Sequence, residues 1–310
     1  MVPRVAVLIP CFNEGPAIAR VVKEMADALP EATIYVYDNN STDDTVEQAT
    51  TAGAVVRRES RQGKGNVVRR MFADIEADVY VMTDGDDTYH APSSRMMVDR
   101  LLDDGLDMVT GSRAPVDDDV HRRGHTAGNA AFTGLLRILF GGDFTDVFSG
   151  YRVMSRRFVK SFPVRSDGFE IETELCAHSQ EISAATIEVP TPFQERPDGT
   201  ESKLRTGRDG MRILFSALRL FENMRPLQFF GGLALALTVV ALTLGFSIFE
   251  EFRRTGLVPR YPTAILAAAI QTVAFICATA GVILKSVQTA RQESRRLAYL
   301  SYPAPGRPND

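Results

Sequence analysis

Three aspartates crowd the end of one predicted strand closely enough to act together. Asp84, Asp86 and Asp87 stand in the segment MTDGDDTY, directly after an apolar run. Neighbouring carboxylates repel one another unless a cation lies between them. Oxygen-only ligands suit Mg²⁺ or Mn²⁺, which share their coordination with substrate phosphates. Aspartates so spaced also cap helices and fill turns, but their position after a buried strand favours a metal site.

Two further loops could hold a nucleotide. Asp38 ends another apolar run, and its carboxylate could accept hydrogen bonds from a base or a ribose. Equally, it could form a turn in the polar run DNNSTDD, with Ser41 or Thr42 capping a helix. Lys64, which is flanked by two glycines, could bind a diphosphate or could remain a solvated loop lysine.

Short apolar runs alternate with helical patterns over the first 113 residues, and they predict the elements that position these loops. The predicted strands are 4–10, 33–39, 54–60, 78–87 and 107–113, and the predicted helices are about 15–29, 43–52, 65–76 and 92–102. Repeated strand–helix units predict an α/β domain with a Rossmann-like, mostly parallel sheet, whose ligand loops meet at the carboxyl ends of the strands. Neither GxGxxG after the first strand nor GxxxxGK[ST] occurs, which disfavours dinucleotide-binding and P-loop proteins.

Charge and cysteine usage exclude other classes of function. The 310-residue chain has a formal net charge of -4 and a pI near 5.7, which argues against a nucleic-acid partner. Cys11, Cys176 and Cys277 are far apart and odd in number. They therefore predict neither a disulfide framework nor a zinc site.

Two uncharged apolar runs near the C-terminus, 228–249 and 263–284, are each long enough to cross a bilayer. They predict a transmembrane hairpin, and the alternative is a pair of buried core helices. Arginine and lysine flank both runs, which favours a cytoplasmic location for both chain ends. The segment 207–226 is predicted as an amphipathic interfacial helix, and 132–142 is a second candidate for lipid contact. Glycines in the runs would allow self-association.

Taken together, the loops resemble glycosyltransferase family 2 with a GT-A fold. The segments that carry the resemblance are IPCFNE (9–14), DNNSTDDT (38–45), GKGN (63–66), TDGDDTY (83–89), GSR (111–113), DVFSGYR (146–152) and ERPDGTESKLRTGRDGMRIL (195–214). With the two-span tail, the chain is most similar to polyprenyl-phosphate glycosyltransferases, such as bactoprenol glucosyltransferases and dolichyl-phosphate mannose synthases. Processive polysaccharide synthases share the GT-A domain, but they commonly carry Q-x-x-R-W, and this chain has no tryptophan.

The resemblance implies a domain plan and a set of site residues. The plan is a GT-A catalytic domain at 1–206, the interfacial helix, two membrane helices within 227–286 and a cytoplasmic tail at 287–310. The implied nucleotide-sugar-binding residues are Pro10, Phe12, Asn13, Glu14, Asp38, Lys64, Asp84 and Gly85, with Asp84 and Asp86 holding a metal–diphosphate. The implied acceptor-phosphate residues are Arg113 and Arg123, with Arg152, Arg196, Lys203 and Arg205 as further candidates. Asp86, Arg113, Arg123 and Asp146 form the catalytic set.

The implied reaction is metal-dependent, inverting transfer of a hexose from a nucleotide-sugar to undecaprenyl phosphate at the cytoplasmic face of the inner membrane, for cell-envelope polysaccharide. UDP-glucose is the favoured donor, GDP-mannose is the alternative, and a non-catalytic tethered subunit is a third hypothesis. A phosphate monoester is largely a dianion at neutral pH, so it can attack without a general base. Asp146 could orient the acceptor, act as a base, cap a helix or pair with Arg152. One of Glu170, Glu172 and Glu174 could be functional, and the spacing does not select which.

Overall fold

The computed structural model describes residues 3–115, 145–168, 170–194, 221–222 and 225–306. The first elements are β1 (Val5–Cys11), α1 (Gly15–Ala28), β2 (Thr33–Asp38), α2 (Thr45–Thr51), β3 (Val55–Arg58), α3 (Lys64–Asp74), β4 (Val79–Met82), α4 (Ser93–Asp103) and β5 (Met108–Pro115). They are followed by β6 (Arg152–Ser155), α5 (Arg156–Ser161), α6 (Ile171–Glu181), β7 (Thr186–Phe193), α7 (Pro226–Thr255) and α8 (Tyr261–Leu300).

Seven strands form one sheet in the order β3-β2-β1-β4-β6-β5-β7. β1 is parallel to both β2 and β4, β2 is parallel to β3, and β5 is parallel to β7. Only β6, among the described strands, runs against its neighbours β4 and β5. The predicted α/β fold with a mostly parallel sheet is confirmed. Because β4 and β5 are both antiparallel to β6, the carboxyl ends of β1, β2, β4 and β5 lie at one edge, where β6 begins.

Alternation along the strands divides the core into two layers, one on each face of the sheet. In β1, Val7 and Ile9 belong to one layer with α1 and α4, whereas Ala6 and Leu8 belong to the other with α3, α5 and α6. Burial on both faces explains why the strands read as continuous apolar runs.

The chain divides into two compact units, one formed by Met1–Arg205 with Ser294–Asp310 and the other by Thr206–Glu293. In the first unit, the end of α8 packs on the sheet domain. Tyr299 is 5% exposed, and its hydroxyl donates to Asp107 Oδ2 at 2.8 Å. Arg157 donates to the same carboxylate at 2.5 Å and lies 4.6 Å from the centre of the Tyr299 ring. A residue that lies beyond both apolar runs therefore completes a buried polar cluster in the first unit.

In the second unit, α7 and α8 are long and apolar, with mean hydropathies of 2.2 and 2.0 in their most apolar windows. Small residues at a spacing of seven, Ala234 with Ala241 and Ala267 with Ala274, are buried, while large apolar side chains such as Phe246 are exposed. This exposure argues against core helices of a soluble domain. The two helices form a candidate membrane hairpin. The segment 132–142 and nearly all of 207–226 lie outside the described residues.

Candidate active site

The loop after β1 is held in place by the polar run 38–45 that follows β2. The backbone N–H of Asn13 donates to Ser41 Oγ at 2.9 Å, and that of Gly15 donates to Asp43 Oδ2 at 3.0 Å. The Gly15 N–H belongs to the first turn of α1, where the helix leaves N–H groups unpaired, and the Asn13 N–H lies just before that turn. Ser41 therefore supports the neighbouring loop, and hydrogen bonds join the two loops into one wall.

Asp38 lies at the base of this wall and is 1% exposed. Its Oδ1 accepts a hydrogen bond from the N–H of Ser41 at 3.0 Å, as in the turn alternative. Its Oδ2 accepts no hydrogen bond from the described residues, and Arg58 Nε lies 3.5 Å from it. A buried acceptor without a hydrogen-bond partner is costly. This oxygen is suited to accept from a nucleotide base or ribose.

Lys64 lies between two carboxylates. Its Nζ is 2.5 Å from Asp84 Oδ1 and 2.6 Å from Glu172 Oε1, and its side chain is 9% exposed. Burial alone would lower the pKa of the ammonium, but Asp84 and Glu172 raise it above its ordinary value. The alternative of a solvated loop lysine is therefore wrong. We call Lys64, Asp84 and Glu172 the lysine cluster.

The glycines beside Lys64 allow a close backbone approach. Gly63 has a φ of 124°, and the N–H of Gly65 donates to the carbonyl of Asp167 at 3.1 Å. A Cβ at Gly65 would lie 2.1 Å from the Ser166 carbonyl oxygen. Only glycine fits there without moving the start of α3, so the GKG segment fixes the position of Lys64.

The three aspartates after β4 have different surroundings. Asp84 is partly exposed, Asp86 is buried and accepts a 2.7 Å hydrogen bond from Thr88 Oγ1, and Asp87 pairs with Arg20 at 3.2 Å. The described residues contain no group of three acidic, histidine or cysteine side chains arranged as a metal cage. Two carboxylates suffice for Mg²⁺ when phosphates complete its shell, so the donor chemistry of Asp84 and Asp86 fits such an ion.

Across the edge of the sheet, Arg113 and Asp146 form a bidentate pair. Arg113 Nε and Nη2 each lie 2.7 Å from an oxygen of Asp146, and the backbone N–H of Arg113 also donates to it at 3.2 Å. Asp146 raises the pKa of the guanidinium against the effect of burial. Asp146 thus contacts Arg113, and Arg152 is not its hydrogen-bond partner. We call these two residues the arginine pair.

Tyr89 links the two groupings. Its hydroxyl accepts the N–H of Gly150 at 2.8 Å. Burial raises the pKa of the phenol, Asp84 raises it further, and Arg113 and Lys64 lower it. The Tyr89 ring also packs 5.4 Å from the ring of Phe193, and the Arg113 guanidinium lies 5.6 Å from the centre of that same ring.

Arg152 is fully buried. Its Nη2 donates to the carbonyl oxygens of Val147 at 3.0 Å and Glu172 at 3.2 Å, and its Nε donates to that of Ser149 at 3.0 Å. These contacts tie the loop before β6 to the first turn of α6. That Arg152 binds the acceptor phosphate stays a prediction, and the geometry gives it a supporting position.

The remaining predicted residues fall into two groups. Pro10 is near the end of β1, whereas Phe12, Asn13, Glu14 and Gly85 are on the loops after β1 and β4. A Cβ at Gly85 would lie 2.6 Å from Cys11 Sγ. Arg123, Arg196, Lys203 and Arg205 lie outside the described residues.

The sequence did not select among the three glutamates near α6, but the structure separates them. Glu172 alone of the three pairs with a described lysine or arginine, whereas Glu174 accepts the N–H groups of Arg165 and Ser166. The start of α6 reads EIETEL, so the sequence carries no signal that distinguishes Glu172 from its neighbours. Only its contact with Lys64, at the start of α3, identifies it.

The family model for glycosyl transferase family 2 matches residues 6–162, half of the chain. The chain belongs to glycosyl transferase family 2. It is therefore a glycosyltransferase, and the resemblance that the sequence motifs carry is confirmed.

Relatives of this family 2 chain include transferases named for polyprenyl phosphates. Glycosyltransferase AglJ of Haloferax volcanii is 36% identical over 250 residues, which cover 80% of this chain and 82% of the relative. The undecaprenyl-phosphate mannosyltransferase of Micrococcus luteus is 28% identical over 227 residues, 68% of this chain and 91% of the relative. The chain is thus a glycosyltransferase that transfers a hexose and is related to polyprenyl-phosphate sugar transferases.

Among solved structures, glucosyl-3-phosphoglycerate synthase from Mycobacterium tuberculosis, in complex with Mn²⁺, uridine diphosphate and phosphoglyceric acid, aligns with a TM-score of 0.60 at 23% identity. The alignment covers 71% of this chain and 79% of that one. At this identity the likeness shows the fold, and it agrees with the predicted GT-A architecture.

Proposed function

We propose that this protein transfers a hexose, with UDP-glucose as the favoured donor, to a polyprenyl phosphate such as undecaprenyl phosphate, with inversion and with the aid of a divalent metal. The observation that carries the proposal is the meeting of the lysine cluster, the buried Asp38 and the arginine pair at one edge of the sheet. Acidic groups for a metal–diphosphate and a guanidinium for a phosphate are the two sets of charges that this reaction needs.

On the donor side, Asp38 accepts a hydrogen bond from the nucleoside, and the wall formed by the loops after β1 and β2 excludes water from its carboxylate. Asp84 and Asp86 would hold a divalent ion on the diphosphate, where such an ion offsets charge on the departing nucleoside diphosphate. Lys64 is positioned to place its ammonium against the same diphosphate.

On the acceptor side, Arg113 offers a planar fork that matches the geometry of a phosphate. The acceptor phosphate is already dianionic, so no side chain must remove a proton from it. Asp146 holds the guanidinium until the acceptor arrives, and we assign it an orienting role. Repulsion between two anionic substrates is thereby offset on both sides of the reacting carbon.

The anchoring proposal follows from the two apolar helices. The catalytic domain, 1–206, is at the cytoplasmic face of the inner membrane, and the hairpin within 227–286 spans that membrane. The lipid acceptor then needs only to bring its phosphate to the membrane surface.

The test is transfer from radiolabelled UDP-glucose and GDP-mannose to undecaprenyl phosphate in detergent, with Mg²⁺, Mn²⁺ or EDTA. We expect a lipid-extractable product that is lost with EDTA. Hydrolysis of a donor without labelled lipid would refute the acceptor, and a product formed in EDTA would refute the metal. GDP-mannose remains the second donor because the Micrococcus luteus relative is named as a mannosyltransferase.

A further inference from the structure

Two carboxylates surround the single ammonium group of Lys64, so negative charge exceeds positive charge there. One ammonium meets two carboxylates, so the lysine cluster has a net charge of -1 when all three groups are ionised. Asp84 is the more exposed partner, with 29% of its side chain accessible, whereas Glu172 has 5%. A ligand can therefore reach the carboxylate of Asp84 more readily than that of Glu172.

A carboxylate that is the sole partner of a buried ammonium is a poor metal ligand. A divalent ion that binds it must displace the ammonium, and a buried ammonium left without a counter-charge is strongly unfavourable. A second, inaccessible carboxylate removes this conflict, because the ammonium keeps one partner while the other turns to the metal.

Glu172 is fixed in place independently of Asp84. Its backbone carbonyl accepts a hydrogen bond from the buried Arg152 at 3.2 Å, which also bonds to the loop before β6 through the carbonyls of Val147 and Ser149. Glu172 therefore keeps its position at the start of α6 when Asp84 changes partner.

We propose that Glu172 is a positioning residue that holds Lys64 and so leaves Asp84 available to the divalent ion and the donor diphosphate. The inference rests on the proposed function and deepens it, since it assigns to a residue outside the aspartate motif the control of metal affinity. Glu172 touches neither substrate nor metal, and it acts through Lys64.

The experiment measures Mn²⁺ binding to the full-length protein in detergent by electron paramagnetic resonance, with saturating UDP or GDP. Glu172→Gln keeps the shape of the side chain and removes its charge, so that Asp84 is the one carboxylate of the lysine cluster left to pair with Lys64. We expect the dissociation constant for Mn²⁺ to rise about tenfold, because the cluster attracts a cation less and Asp84 is less available. Glu172→Asp keeps the charge and should stay within about threefold of the wild type.

The ranking of the two variants separates a charge effect from a packing effect. If Glu172 only fills space, the Glu172→Gln variant should bind Mn²⁺ like the wild type, and the Glu172→Asp variant should show the larger loss of Mn²⁺ affinity. That result would overturn the inference. The matched control is Glu170→Gln, because Glu170 forms no ion pair with a described residue, and it should leave Mn²⁺ affinity unchanged. If the wild-type protein binds no Mn²⁺ in the presence of UDP or of GDP, both the proposed metal use and this inference are overturned. If the wild-type protein binds Mn²⁺ and the Glu172→Gln variant binds it equally well, this inference alone is overturned.

Discussion

The lysine cluster and the arginine pair both join cations to carboxylates, but they do so in different ratios. Lys64 is shared between Asp84 and Glu172, whereas Arg113 meets Asp146 one to one with a bidentate geometry. An excess of negative charge attracts a cation, and a neutral pair can release its guanidinium to an incoming phosphate. The difference indicates that the two halves of the site are matched to ligands of opposite charge.

The largest effect should come from removing the second of the two carboxylates that we propose to bind the metal. Asp86→Asn keeps the size of the side chain but removes its charge, and we expect kcat/KM to fall about 1000-fold, or about 4 kcal/mol. Transfer to undecaprenyl phosphate, with the melting temperature as a check on folding, measures it. The matched control, Asp87→Asn, should stay within a few-fold of the wild type, because Asp87 pairs with Arg20 and asparagine tolerates its φ of 58°. Near-wild-type activity of the Asp86→Asn protein would contradict a metal-binding role for Asp86.

A substitution at a glycine should disturb the lysine cluster without removing any charged group. Gly65→Ala would bring its Cβ to 2.1 Å from the Ser166 carbonyl oxygen, and overpacking of this kind costs roughly 3 kcal/mol. We expect weaker UDP binding and a melting temperature lower by about 6–12 °C. Gly231→Ala is the control, since a Cβ there meets no atom within 4 Å. Equal melting temperatures for the two variants would contradict the close approach at Gly65.

The arginine pair should respond to a change that the lysine cluster does not feel. Arg113→Lys keeps the positive charge but loses the planar fork. We expect kcat/KM for undecaprenyl phosphate to fall about 100-fold, while the affinity for UDP with Mn²⁺ stays the same. Arg70→Lys, on an exposed pair with Asp74, is the control. Equal losses in donor and acceptor parameters would mean that the two groupings do not divide the substrates as proposed.

The smallest effect should leave both groupings untouched. Tyr299→Phe removes one donor from Asp107, which retains Arg157 and Ser155 as partners. We expect a loss of about 1.5 kcal/mol in the free energy of unfolding, with unchanged kcat/KM. Thermal unfolding beside Tyr261→Phe, an exposed tyrosine, measures it. A loss of transfer activity in the folded variant would show that the end of α8 influences the site.

The strands and the loops that follow them were predictable because apolar runs bounded by polar turns have few alternative structures. Asp84 and Asp86 were predicted as metal ligands from one short segment, since the motif and its strand are adjacent in sequence, and this assignment stays a prediction. Glu172 was not, because its partner Lys64 is more than 100 residues earlier and ordinary helix spacing does not distinguish it from Glu170 or Glu174. Arg152 was predicted as a candidate for the acceptor phosphate, and its burial could not be foreseen because it depends on carbonyl groups from two separate segments.

The packing of Tyr299 has a consequence for how the protein is made. Asp107 and Tyr299 are separated by 192 positions in the chain, and both apolar runs, 228–249 and 263–284, are translated between them. Domains generally fold as units during translation. The Asp107 carboxylate, however, cannot contact Tyr299 until both apolar runs have been synthesised. The nascent sheet therefore passes through a stage in which Asp107 is covered only by its nearer neighbours. Ribosome-bound chains arrested before and after residue 299 should differ in resistance to proteolysis, which places the final gain in stability at a late and identifiable moment of synthesis.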